Sequence, residues 1–105
     1  MGESVFAAGS VAKSDCRATF RPYSAEPGAL DLVVRSSVGA LFGEAIEAAA
    51  RRVATEFMGV SGTLEIDDDG ALDYVIEARV EAALRLAGLE RETAPGSARR
   101  GSAQR

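Results

Sequence analysis

Polar and apolar residues alternate in four short stretches of this chain and recur at helical spacing in two longer ones. Val5 to Ala8 predicts a first short strand, turned by Gly9 and Ser10. Cys16 to Phe20 predicts a second, with Arg17 and Thr19 alternating against Ala18 and Phe20. Pro22 and the Ser24-Ala25-Glu26-Pro27-Gly28 run break regular structure. Leu30, Leu32, Val33 and Val34 then predict a third strand, which ends at Ser36 and Ser37, either of which can cap a helix by accepting an orphan N–H. From Val38 to Phe57 the period changes to that of a helix. Phe42, Ala45, Ile46, Ala49, Val53 and Phe57 share one stripe, with Glu44, Glu47, Arg51, Arg52 and Glu56 outside it. Glu47 and Arg51 stand four apart in the favourable order, worth about 0.3 kcal/mol.

Gly59 and Gly62 close that helix, and Leu64 and Ile66 alternate with Glu65 and Asp67 as a fourth strand. Asp67, Asp68 and Asp69 crowd the following turn, where Gly70 eases the backbone. From Ala71 a second helix begins, with Leu72, Val75, Ile76, Val80, Ala83, Leu84 and Ala87 on one stripe. The carboxylates precede the positive end of its dipole. The order β-β-β-α-β-α predicts an α+β fold: a small, mainly antiparallel sheet of three to four strands with two helices packed on one face. Residues 1–89 form one domain, and 90–105, rich in Ser, Ala and Gly with Arg99, Arg100 and Arg105, read as a disordered basic tail.

Several motifs of this order resemble one family. The acidic turn followed by Gly70-Ala71-Leu72-Asp73 and Ala78-Arg79-Val80-Glu81-Ala82 is similar to the C-terminal half of the citrate lyase acyl carrier protein, the gamma subunit. Arg35-Ser36-Ser37-Val38 with Phe42-Gly43-Glu44-Ala45-Ile46 resembles its strand-to-helix junction. Ala8-Gly9-Ser10-Val11 with Ser14-Asp15 resembles its N-terminal carrier segment. The likeness spans roughly residues 7 to 88.

Composition narrows the chemistry. A net charge of -4 with Lys13 as the sole lysine disfavours nucleic acid as the partner, because phosphate contacts need clustered cations. No histidine is present and Cys16 is the one cysteine, which excludes a serine triad, the usual zinc ligands, an intrachain disulfide and a Cys-x-x-Cys pair. No apolar run has the length of a membrane span, and the chain is expected to be cytoplasmic, without catalytic residues of its own.

Among individual residues, Glu65, Asp67, Asp69 and Gly70 mimic the opening of a calcium loop, but its twelfth position falls on Ile76, a core residue, so helix capping is favoured and no metal is expected. Cys16 beside Arg17 is either a reactive thiol or a buried small hydrophobe, and the second is favoured. Arg79 is read as structural, pairing with a carboxylate such as Asp73 or Glu44. The exposed-turn serine is Ser14, next to Asp15.

The resemblance gives that serine a role. In the family a serine of this segment is esterified to phosphoribosyl-dephospho-coenzyme A, whose thiol holds the acyl group. The family pattern puts it two residues before the aspartate, where this chain has Lys13, so the attachment is expected at Ser14, with Ser10 or no attachment as alternatives. The implied function is the acyl carrier subunit of citrate lyase. The implied partners are the alpha and beta subunits and a prosthetic-group transferase. The rival is an unmodified interaction subunit that holds a complex together through the acidic turn and helix face.

Overall fold

The computed structural model describes residues 4–22 and 29–92. The elements follow the expected order: β1 (Phe6–Gly9), β2 (Cys16–Pro22), β3 (Leu30–Ser36), α1 (Gly39–Ala54), β4 (Gly62–Asp68) and α2 (Asp73–Leu86). They form one four-stranded sheet in the order β1-β2-β4-β3. β1 and β2 are a hairpin, and β2 runs antiparallel to β4 from Cys16↔Asp68 to Pro22↔Gly62. β3 and β4 are parallel, Leu30↔Gly62 to Ser36↔Asp68, so the sheet is mixed. A parallel pair cannot be joined by a tight turn, and α1 supplies the crossover.

Alternation decides the faces. Leu64 and Ile66 of β4, with Cys16, Ala18 and Phe20 of β2, point to one side and are essentially sealed. Against them lie Ile46, Ala49, Ala50 and Val53 of α1 and Ile76, Val80, Ala83 and Leu84 of α2. Alanines at 49, 50 and 83 let helix and sheet approach closely. The opposite face is a charged ladder: Arg21 pairs with Glu65 at 2.7 Å, and Arg35 reaches both Glu65 at 3.2 Å and Asp67 at 2.8 Å. Half-exposed pairs of this kind specify the wet face more than they stabilise it.

The boundaries shift for identifiable reasons. α1 stops at Ala54 rather than reaching Phe57, because Phe57 turns back to bridge Arg91 and lies beneath the guanidinium groups of Arg85 and Arg91, 5.6 and 5.5 Å from the ring centre. Arg91 also pairs with Glu56 and, at 2.6 Å, with Glu81, and Glu92 N donates to Glu56 O. Residues 90–92 are thereby held against the ends of both helices. The remainder of the expected tail, 93–105, lies outside the described residues, as does the run Ser24 to Gly28. Phe42, assigned to the buried stripe, is half exposed. Neither Ser36 nor Ser37 is the N-cap of α1. That place falls to Val38, whose N–H is received by Ser36 Oγ two residues before it.

Ile76 is fully buried between sheet and helices, whereas Leu41 on α1 is 81% exposed. Ile76→Ala should lower unfolding free energy by about 2–4 kcal/mol, and Leu41→Ala by less than about 0.5 kcal/mol. Urea denaturation followed by circular dichroism measures both, and equal losses would contradict this core.

Candidate functional site

The turn between β1 and β2 occupies residues 10–15 at one end of the sheet. Its base is closed by Ser10 N donating to Cys16 O at 3.1 Å, and its interior by Asp15 N donating to Ala12 O at 3.0 Å. Ser14 sits at the exposed apex with φ of 65°, the one non-glycine residue in the left-handed region among those described. That conformation costs a side-chain-bearing residue about 1 kcal/mol. It is held by two backbone bonds to the acidic turn after β4: Ser14 N donates to Asp69 O at 2.7 Å, and Asp69 N donates to Asp15 O at 3.0 Å.

Asp15 is the hub of the turn. Its carboxylate accepts from Arg79 Nε at 3.0 Å and Nη2 at 3.1 Å, from Ser10 Oγ at 2.8 Å and from Cys16 N at 2.7 Å. The Arg79 fork, aided by Ser10 and the Cys16 amide, lowers its pKa from 3.8 to about 2. Arg79 therefore pairs with Asp15 rather than with Asp73 or Glu44. α2 packs over β1 and β2 as well as against α1, and its Arg79 side faces the hairpin. Gly9 makes room for the crossing. A Cβ at that position, with φ of 95°, would meet Cys16 O at 2.1 Å and Arg79 Cδ at 2.8 Å.

The candidate hydroxyls separate on their bonding. Ser10 Oγ is spent twice, donating to Asp15 and receiving Ala12 N–H at 3.2 Å. Among the described residues, none engages the Ser14 hydroxyl, and Lys13 stands exposed beside it. The structure thus keeps Ser14 accessible and commits Ser10 to the turn.

The three aspartates after β4 part company. Asp67 faces the charged ladder. Asp68 is 7% exposed and accepts Ser36 Oγ at 2.7 Å, Gly70 N at 3.1 Å and Ala71 N at 2.9 Å. Asp69 accepts Ser37 Oγ at 2.6 Å. The expected helix cap becomes a turn cap, because α2 begins only at Asp73, with Leu72 in the N-cap place and no side-chain cap. The calcium-like set is likewise engaged, Glu65 and Asp67 by arginines and Asp69 by Ser37, while Ile76 is buried. Among the described residues, no group of three His, Cys, Asp or Glu is placed to hold a metal ion. Cys16 is fully buried, and desolvation, then the nearby Asp68 and Asp15, push its thiol up to about 11.

One feature has no counterpart in the pattern of residues along the chain. A groove of about 710 Å³ opens between the first turns of α1 and α2, lined by Val38, Phe42, Ala71, Leu72 and Tyr74. Phe42, Leu72 and Tyr74 read as core or as unremarkable positions when only spacing is considered.

Comparison with known proteins adds three findings. The family described as malonate decarboxylase delta subunit (MdcD), an acyl carrier protein family, matches residues 4–87. A citrate lyase acyl carrier protein of Haemophilus influenzae is 38% identical over 79 residues, covering 75% of this chain and 79% of that protein. Those of Yersinia enterocolitica and Treponema denticola are 37% and 39% identical, covering 80% and 75% of this chain and 84% and 86% of theirs. No solved structure matches.

Two outcomes test this geometry. A carboxylate held low in the folded state contributes stability above its unfolded pKa and loses it as pH falls through the folded value. Asp15 should therefore make the protein progressively less stable between pH 3.8 and about 2. Arg79→Ala should lower stability at neutral pH, flatten that acid dependence and return the Asp15 pKa toward 3.8, read by carboxyl NMR titration. Cys16 should resist iodoacetamide at about pH 8 until denaturant is added, because the thiolate is the nucleophile; rapid labelling of the native chain would refute its burial.

Proposed function

The chain belongs to the acyl carrier protein family, and from that footing we propose that it is the carrier subunit of a citrate-cleaving lyase, loaded at Ser14. The prosthetic group would be phosphoribosyl-dephospho-coenzyme A, esterified to the Ser14 hydroxyl by a dedicated transferase. Its terminal thiol would hold acetyl or citryl as a thioester for two partner subunits, alpha and beta, one exchanging the acyl group and the other cleaving citryl to oxaloacetate and acetyl. The observation that carries the choice of residue is the contrast between Ser14, exposed and unengaged among the described residues, and Ser10, whose hydroxyl is tied to Asp15.

The surroundings of Ser14 suit that group. Arg79 meets the charge of Asp15, and Lys13 supplies a cation next to the hydroxyl for an arriving phosphate. Anchored backbone on both sides of Ser14 gives a rigid base to a flexible arm. A short tether raises effective concentration to about millimolar, so each transfer is spared a diffusive search. This chain would bind, orient and present, and leave bond making to its partners. No helix among the described residues is long and apolar enough to cross a membrane, and the reading places the protein in the cytoplasm.

One observation favours a second reading, an unmodified interaction subunit. Lys13 occupies the place two before Asp15, and Ser14 holds the left-handed conformation that glycine adopts at no cost.

Ser14→Gly separates the two cleanly. Glycine suits φ of 65°, so the variant should fold with stability unchanged or raised by up to about 1 kcal/mol. Intact mass spectrometry of chain made together with its native transferase should show a gain matching the coenzyme derivative, lost in Ser14→Gly and kept in Ser10→Ala. Unmodified chain recovered from an active complex overturns the loading.

A further inference from the structure

The exposed apolar side chains at the start of the two helices form one surface next to the hairpin. Tyr74 is 69% exposed, Leu72 61% and Phe42 52%, with Leu41 beside Phe42 on α1. Leu72 and Tyr74 are not needed by the core, whose α2 contribution is Ile76, Val80, Ala83 and Leu84. A leucine in the N-cap place also forgoes the side-chain bond that Ser, Thr, Asp or Asn would make there, a loss of about 1 kcal/mol. A position that gives up stability to expose a large apolar group marks a binding surface.

Its location and charge define the occupant. Gly70 and Ala71 line the groove and directly follow Asp69, whose carbonyl receives the Ser14 amide. The charged residues lining the groove are both acidic, Asp73 and Glu77, and exposed Glu44 lies two residues beyond Phe42. Glu77 is paired with Arg52, so the acidity left to face a partner comes from Asp73 in the lining and from Glu44 beside it.

We infer that the groove between the first turns of α1 and α2 docks an acyl-processing partner protein through one or two apolar side chains flanked by Lys or Arg, beside the loaded turn. The inference rests on the carrier reading and deepens it. Apolar insertion supplies the affinity, and the acidic rim steers the approach and sets the orientation. Docking there leaves the Ser14 turn at the rim of the interface, within reach of a partner's active site.

The test uses the full chain and the purified acyl-processing subunits encoded in the same genome, with affinity measured by calorimetry at about 50 and about 500 mM salt. Leu72→Ser and Tyr74→Gln alter exposed positions, and serine at position 72 creates a cap, so both variants should stay folded by circular dichroism. Binding should weaken at least about tenfold in the double variant, weaken further with Asp73→Asn, and fall with salt in the parent chain. Unchanged affinity, or no binding by the parent chain, overturns the proposal. A parent dimer in sedimentation velocity that Leu72→Ser converts to monomer makes a second copy the occupant and overturns it too. A groove filled only by the chain's own arm would show loading-dependent changes at Tyr74 with partner affinity untouched, again against it. Mass analysis of Ser14 stands apart: an unmodified chain that still binds through Leu72 ends the loading and keeps the docking face.

Discussion

Asp68 and Asp69, at the end of the central strand, are the point on which the arrangement depends. Asp68 sends its carboxylate to Ser36 at the end of β3 and to the amides of Gly70 and Ala71, which set the turn into α2. Its carbonyl receives Ser37 N, and the peptide groups of Asp69 clasp Ser14 and Asp15. Two consecutive residues thus bind the hairpin, the β3–α1 junction and the approach to α2 into one end of the molecule. A buried carboxylate is costly unless its oxygens are satisfied, and here the bonds that satisfy it also fix where the elements meet. The acidity of the turn is therefore architectural before it is electrostatic.

That junction explains how an exposed apex can be well defined. Surface turns usually fluctuate because few contacts cross to them. This one is held from beneath by backbone bonds to Asp69 and from the side by the Arg79 fork on Asp15, an arginine delivered by α2 across the gap left at Gly9. The left-handed strain at Ser14 persists because these ties over-determine the turn. A carrier needs this division: a base that partners can recognise as a shape, and an arm that moves.

Periodicity made the fold legible. Helices and strands were readable because one face of each is buried, and Ile76, Val80 and Leu84 or Leu64 and Ile66 report that directly. The Ser14 turn was readable from turn chemistry and from the likeness to the carrier family. What spacing could not provide was long-range partnership. Arg79 and Asp15 lie 64 residues apart and meet only because α2 crosses the hairpin. Ser36 looked like a helix cap, and it does receive an amide, but its position in the register opposite Asp68 draws it outside the helix. Phe42 shares the helical stripe with Ile46, yet it lies one turn beyond the edge of the sheet-backed core. Burial depends on what stands opposite, which a single segment does not encode.

If Ser14 bears the arm, as proposed, a root displaced by one residue would have unequal consequences for the steps a carrier undergoes. Adjacent Cα atoms are about 3.8 Å apart. An arm that is long and flexible absorbs such a displacement of its root, because effective concentration changes only slowly with tether length. Loading is different. A transferase must bring the hydroxyl oxygen to about 3–3.5 Å from the atom it attacks, in line, and a change from the residue before the left-handed position to that position itself alters both reach and direction. Lys13 also places a cation directly beside that hydroxyl, two residues before Asp15. On the proposed loading at Ser14, the demand for fit would therefore fall on the enzyme that attaches the arm, while the subunits that use it later would meet the turn and the groove beside it.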